Sequence, residues 1–154
     1  MKHDANNAFT GILSRYAIPI EDLQRYFRWN NKHYTRTCVH RNADFEVLVI
    51  CYEPGQATSI HDYDSQNAWI HPVMGEVEVE RYAMGEHGLR SLGADWLRTG
   101  SPDLFRTGSA IHRFVNHGPA RAVTLNLYAK PLSRWHVYEA GSSKARTALP
   151  GPRR

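Results

Sequence analysis

Hydrophobic positions change their period along this chain. Between residues 8 and 16, Phe9, Ile12, Leu13 and Tyr16 recur at helical spacing, and between 20 and 29 Ile20, Leu23, Tyr26 and Phe27 do the same behind Pro19. Intervals of three and four put these side chains on one face of each segment, so two short N-terminal helices are expected at about 8–29. From Tyr34 onward the pattern becomes one of β-branched and aromatic runs, the strongest being 45–52 (FEVLVICY), 69–82 (WIHPVMGEVEVERY) and 122–128 (AVTLNLY). Strict alternation in EVEVERY puts Val77, Val79 and Arg81 on one face and Glu76, Glu78 and Glu80 on the other, so one side of that strand meets water.

Turn residues punctuate this region at Pro54-Gly55, between Gly85 and Gly88, at Gly93, Gly100-Ser101-Pro102, Gly108 and Gly118-Pro119. Short strands at such regular spacing indicate a closed barrel or sandwich rather than βαβ units. Trp69, Trp96 and Trp135 read as core residues. After Glu139 the apolar period disappears, and residues 141–154 read as a flexible basic tail behind a single domain spanning 1–140.

The chain has 154 residues with a formal net charge of +4. Much of that excess sits in Lys144, Arg146, Arg153 and Arg154, and setting those four aside leaves 15 basic residues against 15 acidic ones. A solvated tail explains such a run, so no nucleic-acid partner is expected. Cys38 and Cys51 do not make a disulfide framework. The first residues lack a signal-peptide pattern and no apolar run approaches the roughly 20 residues that span a bilayer, so a cytoplasmic protein without a membrane partner is expected.

Two histidine neighbourhoods stand out among the nine. One is Gly55-x5-His61-x-Tyr63, followed after a strand by Gly75; the other is His112-x3-Asn116 behind Gly108. Residues i and i+2 of a strand point the same way, so His61 and Tyr63 can face one interior point. These segments resemble the two motifs of cupins, and the likeness extends from Tyr34 to Tyr138. Tyr34-Thr35-Arg36, Arg41-Asn42, Ser59-Ile60-His61-Asp62, Gly75, His112-Arg113-x-x-Asn116 and the strand from Val123 to Tyr128 followed by Pro131 together resemble the cysteine dioxygenase family.

That resemblance implies an all-β cupin fold, a double-stranded β-helix or jelly-roll barrel, holding one Fe(2+). It implies an enzyme that oxidises cysteine or a related carboxylate-bearing thiol to its sulfinate with O2. In the family three histidines hold the iron, and His61 and His112 match the first and last. Arg36 matches the arginine that grips the substrate carboxylate, a task suited to a planar guanidinium. Tyr34 falls beside it as a substrate-binding residue. Tyr128 matches the tyrosine that reaches toward carboxylate and oxygen, and Arg36 favours cysteine over 3-mercaptopropionate.

Departures from the family pattern bear on the same site. Tyr63 stands where the family has its middle histidine, and a tyrosine must lose a proton with a reference pKa near 10 before it binds metal well, whereupon it favours ferric iron. Three arrangements follow: Tyr63 ligates as phenolate, Tyr63 only faces a two-histidine iron completed by water, or another group takes its place. His71 lies at even spacing from Tyr63, but Pro72 interrupts the run. Ala68 replaces the cysteine that crosslinks to the tyrosine in animal members. Around the oxygen site, Asn126 stands for a histidine and Thr124 for a serine. His3, His33, His40, His87, His117 and His136 receive no role. Two rival functions remain: a cupin oxygenase of altered chemistry with a two-His/Tyr iron site, and a non-catalytic metal- or small-molecule-binding cupin. The expected partners are a small thiol and O2, with the chain a monomer or weak homo-oligomer.

Overall fold

The computed structural model describes residues 18–63, 67–101, 103–106, 110–140, 142 and 144–149. Among them are one helix, α1 (Ile20–Gln24), and eleven strands. The strands are β1 (Thr35–Arg41), β2 (Phe45–Tyr52), β3 (Ile60–His61), β4 (Asn67–Met74), β5 (Glu76–Gly85), β6 (Gly88–Arg98), β7 (Leu104–Arg106), β8 (Ile111–Val115), β9 (Ala122–Ala129), β10 (Trp135–Tyr138) and β11 (Ala145–Ala148). They form two sheets, β1-β2-β9-β4-β7 and β11-β10-β3-β8-β5-β6. No hydrogen-bonded ladder among the described residues joins the two into a closed barrel. They face one another across a shared core instead, a jelly-roll sandwich of the cupin type.

Strand β2 reads as an unbroken apolar run because both of its faces are covered. Leu48, Ile50 and Tyr52 point inward and meet Val77, Val79, Leu97 and Phe114 of the opposite sheet. Val49 and Cys51 point outward, into a second cluster with Trp69, Val123, Leu125 and Leu127. That outer cluster is closed by Leu23 of α1, with Tyr26, Phe27 and Trp29 packed alongside. Burying Leu23, which is 4% exposed, contributes about 2 kcal/mol to holding the N-terminal segment on the sheet.

The strand expected at 45–52 is β2, and that at 122–128 is β9 with one residue added. The long run 69–82 is cut in two at Gly75, whose φ of +66° lies in the left-handed region. A Cβ there would stand 2.5 Å from the Arg121 carbonyl oxygen, so the corner between β4 and β5 requires glycine. Glu76, Glu78 and Glu80 are partly exposed while Val77 and Val79 are buried, as their alternation requires.

Three expectations need correction. The helical run at 8–16 lies outside the described residues, and the one at 20–29 is helical only over Ile20–Gln24. Its end tightens into three-residue bonds, Tyr26 N–H to Leu23 O at 2.9 Å and Phe27 N–H to Gln24 O at 3.0 Å. The tail is not structureless throughout, since Ala145–Ala148 adds to the edge of β10 as β11 by backbone pairing alone. Trp96 is 39% exposed, because on β6 the adjacent Leu97 takes the inward face and alternation turns the indole out.

Candidate functional site

The site grows from two short strands in register. On β3, His61 pairs directly with His112 of β8, and on its other side with Val137 of β10. Directly opposed residues on antiparallel strands share a face, and the two imidazole centroids stand 4.6 Å apart. Tyr63, in the segment after β3, brings its ring to 5.3 Å from His61 and 4.5 Å from His112. His112 is wholly buried and Tyr63 nearly so.

Each imidazole is oriented by the backbone two residues before it. His61 Nδ1 lies 2.7 Å from the Ser59 carbonyl oxygen, and His112 Nδ1 lies 2.8 Å from that of Ala110. A carbonyl can only accept, so Nδ1 carries the proton in both rings. In the neutral form Nε2 then bears a lone pair. Desolvation pulls the His61 pKa down to about 4, with the Arg36 charge adding to the effect, so this ring is neutral at pH 7.

A row of polar side chains runs along the inner face of β9 toward the same point. Thr124 Oγ1 donates to Asn126 Oδ1 at 2.7 Å, and Asn126 Nδ2 donates to the Tyr128 hydroxyl at 3.0 Å. Tyr128 in turn directs its hydroxyl toward that of Tyr63 at 3.5 Å. All four are buried. Burial, and then Tyr128, push the Tyr63 phenol well above the usual tyrosine range, so without a bound cation it stays protonated. Ala68 pairs across the ladder with Tyr128.

These groups open onto a cavity of about 390 Å³, including its mouth. Tyr34, Arg36, Tyr52, His61, Tyr63 and Tyr128 are among its lining residues. Arg36 is exposed, with its guanidinium 5.4 Å above the centre of the Trp135 ring. No carboxylate among the described residues lies within ion-pair range of it. Tyr34 stacks on Tyr52 at 5.8 Å, and burial raises its pKa.

The other residues singled out from the sequence as site candidates line one cavity or, as His112 and Thr124 do, touch a residue that lines it. His71 does neither. It lies on the outer face of β4, stacked on Trp69 at 5.5 Å and bonded to Asp103 at 2.5 Å, and so cannot replace Tyr63. Two residues were given no role in the sequence reading. Tyr52 looks like any core aromatic of a buried strand. Asp62 is 3% exposed and accepts from His136 N–H at 2.9 Å and from the Tyr138 hydroxyl at 2.8 Å. Its position between His61 and Tyr63 was the available signal, since an intervening residue must point the other way. His136, given no role, has Nδ1 3.1 Å from the same carboxylate. A second cluster, Glu78, Glu80 and His117, also brings ligand atoms within 4.8 Å of one another. Its Glu80 is already held by both Arg113 Nε at 2.7 Å and Arg113 Nη2 at 3.0 Å.

Comparison with known proteins points the same way. The family model described as cysteine dioxygenase type I matches residues 4–141. Cysteine dioxygenase type 1 of Danio rerio is 20% identical over 134 residues, covering 83% of this chain and 67% of the relative. That of Homo sapiens is 22% identical over 133 residues, covering 83% and 66%. The chain therefore spans about two thirds of the length of these curated relatives. Among solved structures, an uncharacterised conserved protein with a double-stranded β-helix domain from Klebsiella pneumoniae superposes with a TM-score of 0.61 at 21% identity, over 88% of this chain and 91% of that one. The TT1209 protein from Thermus thermophilus gives 0.59 at 23%, over 73% and 98%. At these identities the two structures establish the double-stranded β-helix fold.

Proposed function

The chain belongs to the cysteine dioxygenase type I family, and from that premise we propose that it is an iron-dependent thiol dioxygenase, oxidising cysteine or a related carboxylate-bearing thiol to its sulfinate. The observation that carries this reading is the pairing of His61 with His112, both with Nδ1 tied to a carbonyl, beside a cavity that Arg36 also lines.

The donor set suits ferrous iron in part. Two neutral imidazoles presenting Nε2 are good ligands for it, and backbone carbonyls that fix the tautomer are the usual outer support of such ligands. Tyr63, as a neutral phenol, is a weak third donor. When bound, iron would supply the sites at which thiolate and dioxygen meet and would relay to dioxygen the electrons that sulfur gives up on becoming sulfinate.

The protein's own part is placement. Arg36, with no carboxylate partner among the described residues, draws the substrate's carboxylate to the cavity mouth and can hold it with two parallel hydrogen bonds. Phe114, Ile50 and Leu132 line the wall and limit water around the sulfur. Tyr128 accepts from Asn126 and keeps its proton directed toward Tyr63, available to an oxygen atom of the reacting group.

A second reading is favoured by one observation, the contact of the Tyr63 ring with both imidazoles. In it Tyr63 becomes a phenolate ligand and the substrate is another small molecule. Oxygen uptake by the iron-loaded protein, measured with a panel of thiols and followed by mass detection of sulfinate, tests the main reading. Uptake confined to non-thiols supports the second, and no uptake with any substrate leaves a binding module. A tyrosinate-to-ferric charge-transfer band in the visible spectrum marks ligation by Tyr63.

A further inference from the structure

On the cavity wall, the hydroxyls of Tyr128 and Tyr63 have partners within one hydrogen-bonded row, which runs back through Asn126 to Thr124 behind the wall. Tyr52 is different. It is wholly buried and lines the cavity, yet its hydroxyl makes no hydrogen bond to any described residue. Thr124, which pairs with Ile50 on the same ladder, lies near Tyr52 but gives its own proton to Asn126. A buried hydroxyl without a partner costs stability relative to phenylalanine, which would fill the same space without that cost.

The surroundings of Tyr52 suggest what its hydroxyl is for. Its ring is held by the stack with Tyr34, at an interplanar angle of 20°. Arg36 pairs with Ile50, and Ile50 and Tyr52 share the inner face of β2. Arg36 and Tyr52 therefore occupy neighbouring rungs of the same sheet face, about 7 Å apart along the strands. An acid group drawn in by the guanidinium has a second oxygen to satisfy. Tyr52 has a proton that no described residue takes in a formed hydrogen bond, with Thr124 its nearest hydroxyl neighbour.

We propose that the Tyr52 hydroxyl is a substrate-binding donor that, together with Arg36, selects for a carboxylate-bearing thiol. This deepens the reading of the site as a thiol dioxygenase and rests on it. The sequence hid this role because tyrosine in a buried strand packs like any other aromatic residue.

The test uses the iron-loaded protein without oxygen, so that binding is measured apart from turnover. Calorimetric titration with L-cysteine and with cysteamine, which lacks the carboxylate, gives a selectivity ratio. Tyr52→Phe should lower that ratio about tenfold, the loss of one hydrogen bond to a charged group. In Arg36→Ala the further loss from Tyr52→Phe should shrink, because both groups act on the same carboxylate. Urea unfolding of ligand-free Tyr52→Phe should show stability at or above wild type. A ratio unchanged by Tyr52→Phe, or equal losses for the two thiols, overturns the assignment while leaving the broader function standing. Wild-type protein that binds neither thiol overturns both.

Discussion

The imidazoles of His61 and His112 face each other from directly paired positions on adjacent antiparallel strands, 4.6 Å apart at their centroids. Neither is placed by a loop, so their separation is as fixed as the ladder that carries them. Replacing His112 by alanine removes one of the two best donors and should abolish iron retention. Metal analysis of the purified variant checks this, and full iron content would show that the ion sits elsewhere.

Arg36→Ala should raise KM for cysteine at least tenfold and KM for cysteamine far less, because only the first offers a carboxylate. Steady-state oxygen uptake with both thiols measures the split. Equal effects would remove the guanidinium from substrate binding.

Tyr63→His restores a third imidazole in place of a phenol that burial keeps protonated. Iron affinity and the rate of cysteine oxidation should both rise. A fall in cysteine oxidation would mean that the phenol serves a different reaction.

How much of this could be read from the chain depended on how each residue is held. Strand β2 was legible because burial on both faces leaves an unbroken apolar run, and His61 and His112 because they sit in recognisable local motifs. Strand β11 was not, since backbone pairing at an exposed edge asks nothing of the side chains of Ala145–Ala148. Trp96 misled because a large aromatic suggests a core, whereas the inward face at that point belongs to Leu97. The direction of His71 was hidden by Pro72 and is fixed by the partners of β4.

Acid should act on the metal-free protein through His61. The unfolded chain protonates this ring near 6.5, but the folded state resists protonation down to about 4. As pH falls through that window the unfolded state takes up a proton that the folded state refuses, so stability declines below 6.5 and levels off near 4. Urea titrations of the apo proteins at pH 7 and 4.5 should therefore show a larger loss for wild type than for His61→Gln. Equal losses would mean that the folded ring is well solvated.

Gly75→Ala sets a methyl group against the Arg121 carbonyl in a left-handed conformation. The variant should lose about 2 kcal/mol of stability in urea unfolding. A loss under about 0.5 kcal/mol would mean that the corner between β4 and β5 relaxes freely.

Because β3 is sandwiched between β8 and β10, and Asp62 is bonded to His136 and Tyr138, the segment bearing His61 and Tyr63 is braced by chain made much later. Contacts so distant along the chain form slowly and late in folding. A nascent chain leaving the ribosome therefore has no finished site around His61 and Tyr63 until its last strands emerge. On the proposed function, metal capture would be a closing step of biogenesis rather than a nucleus around which the protein folds.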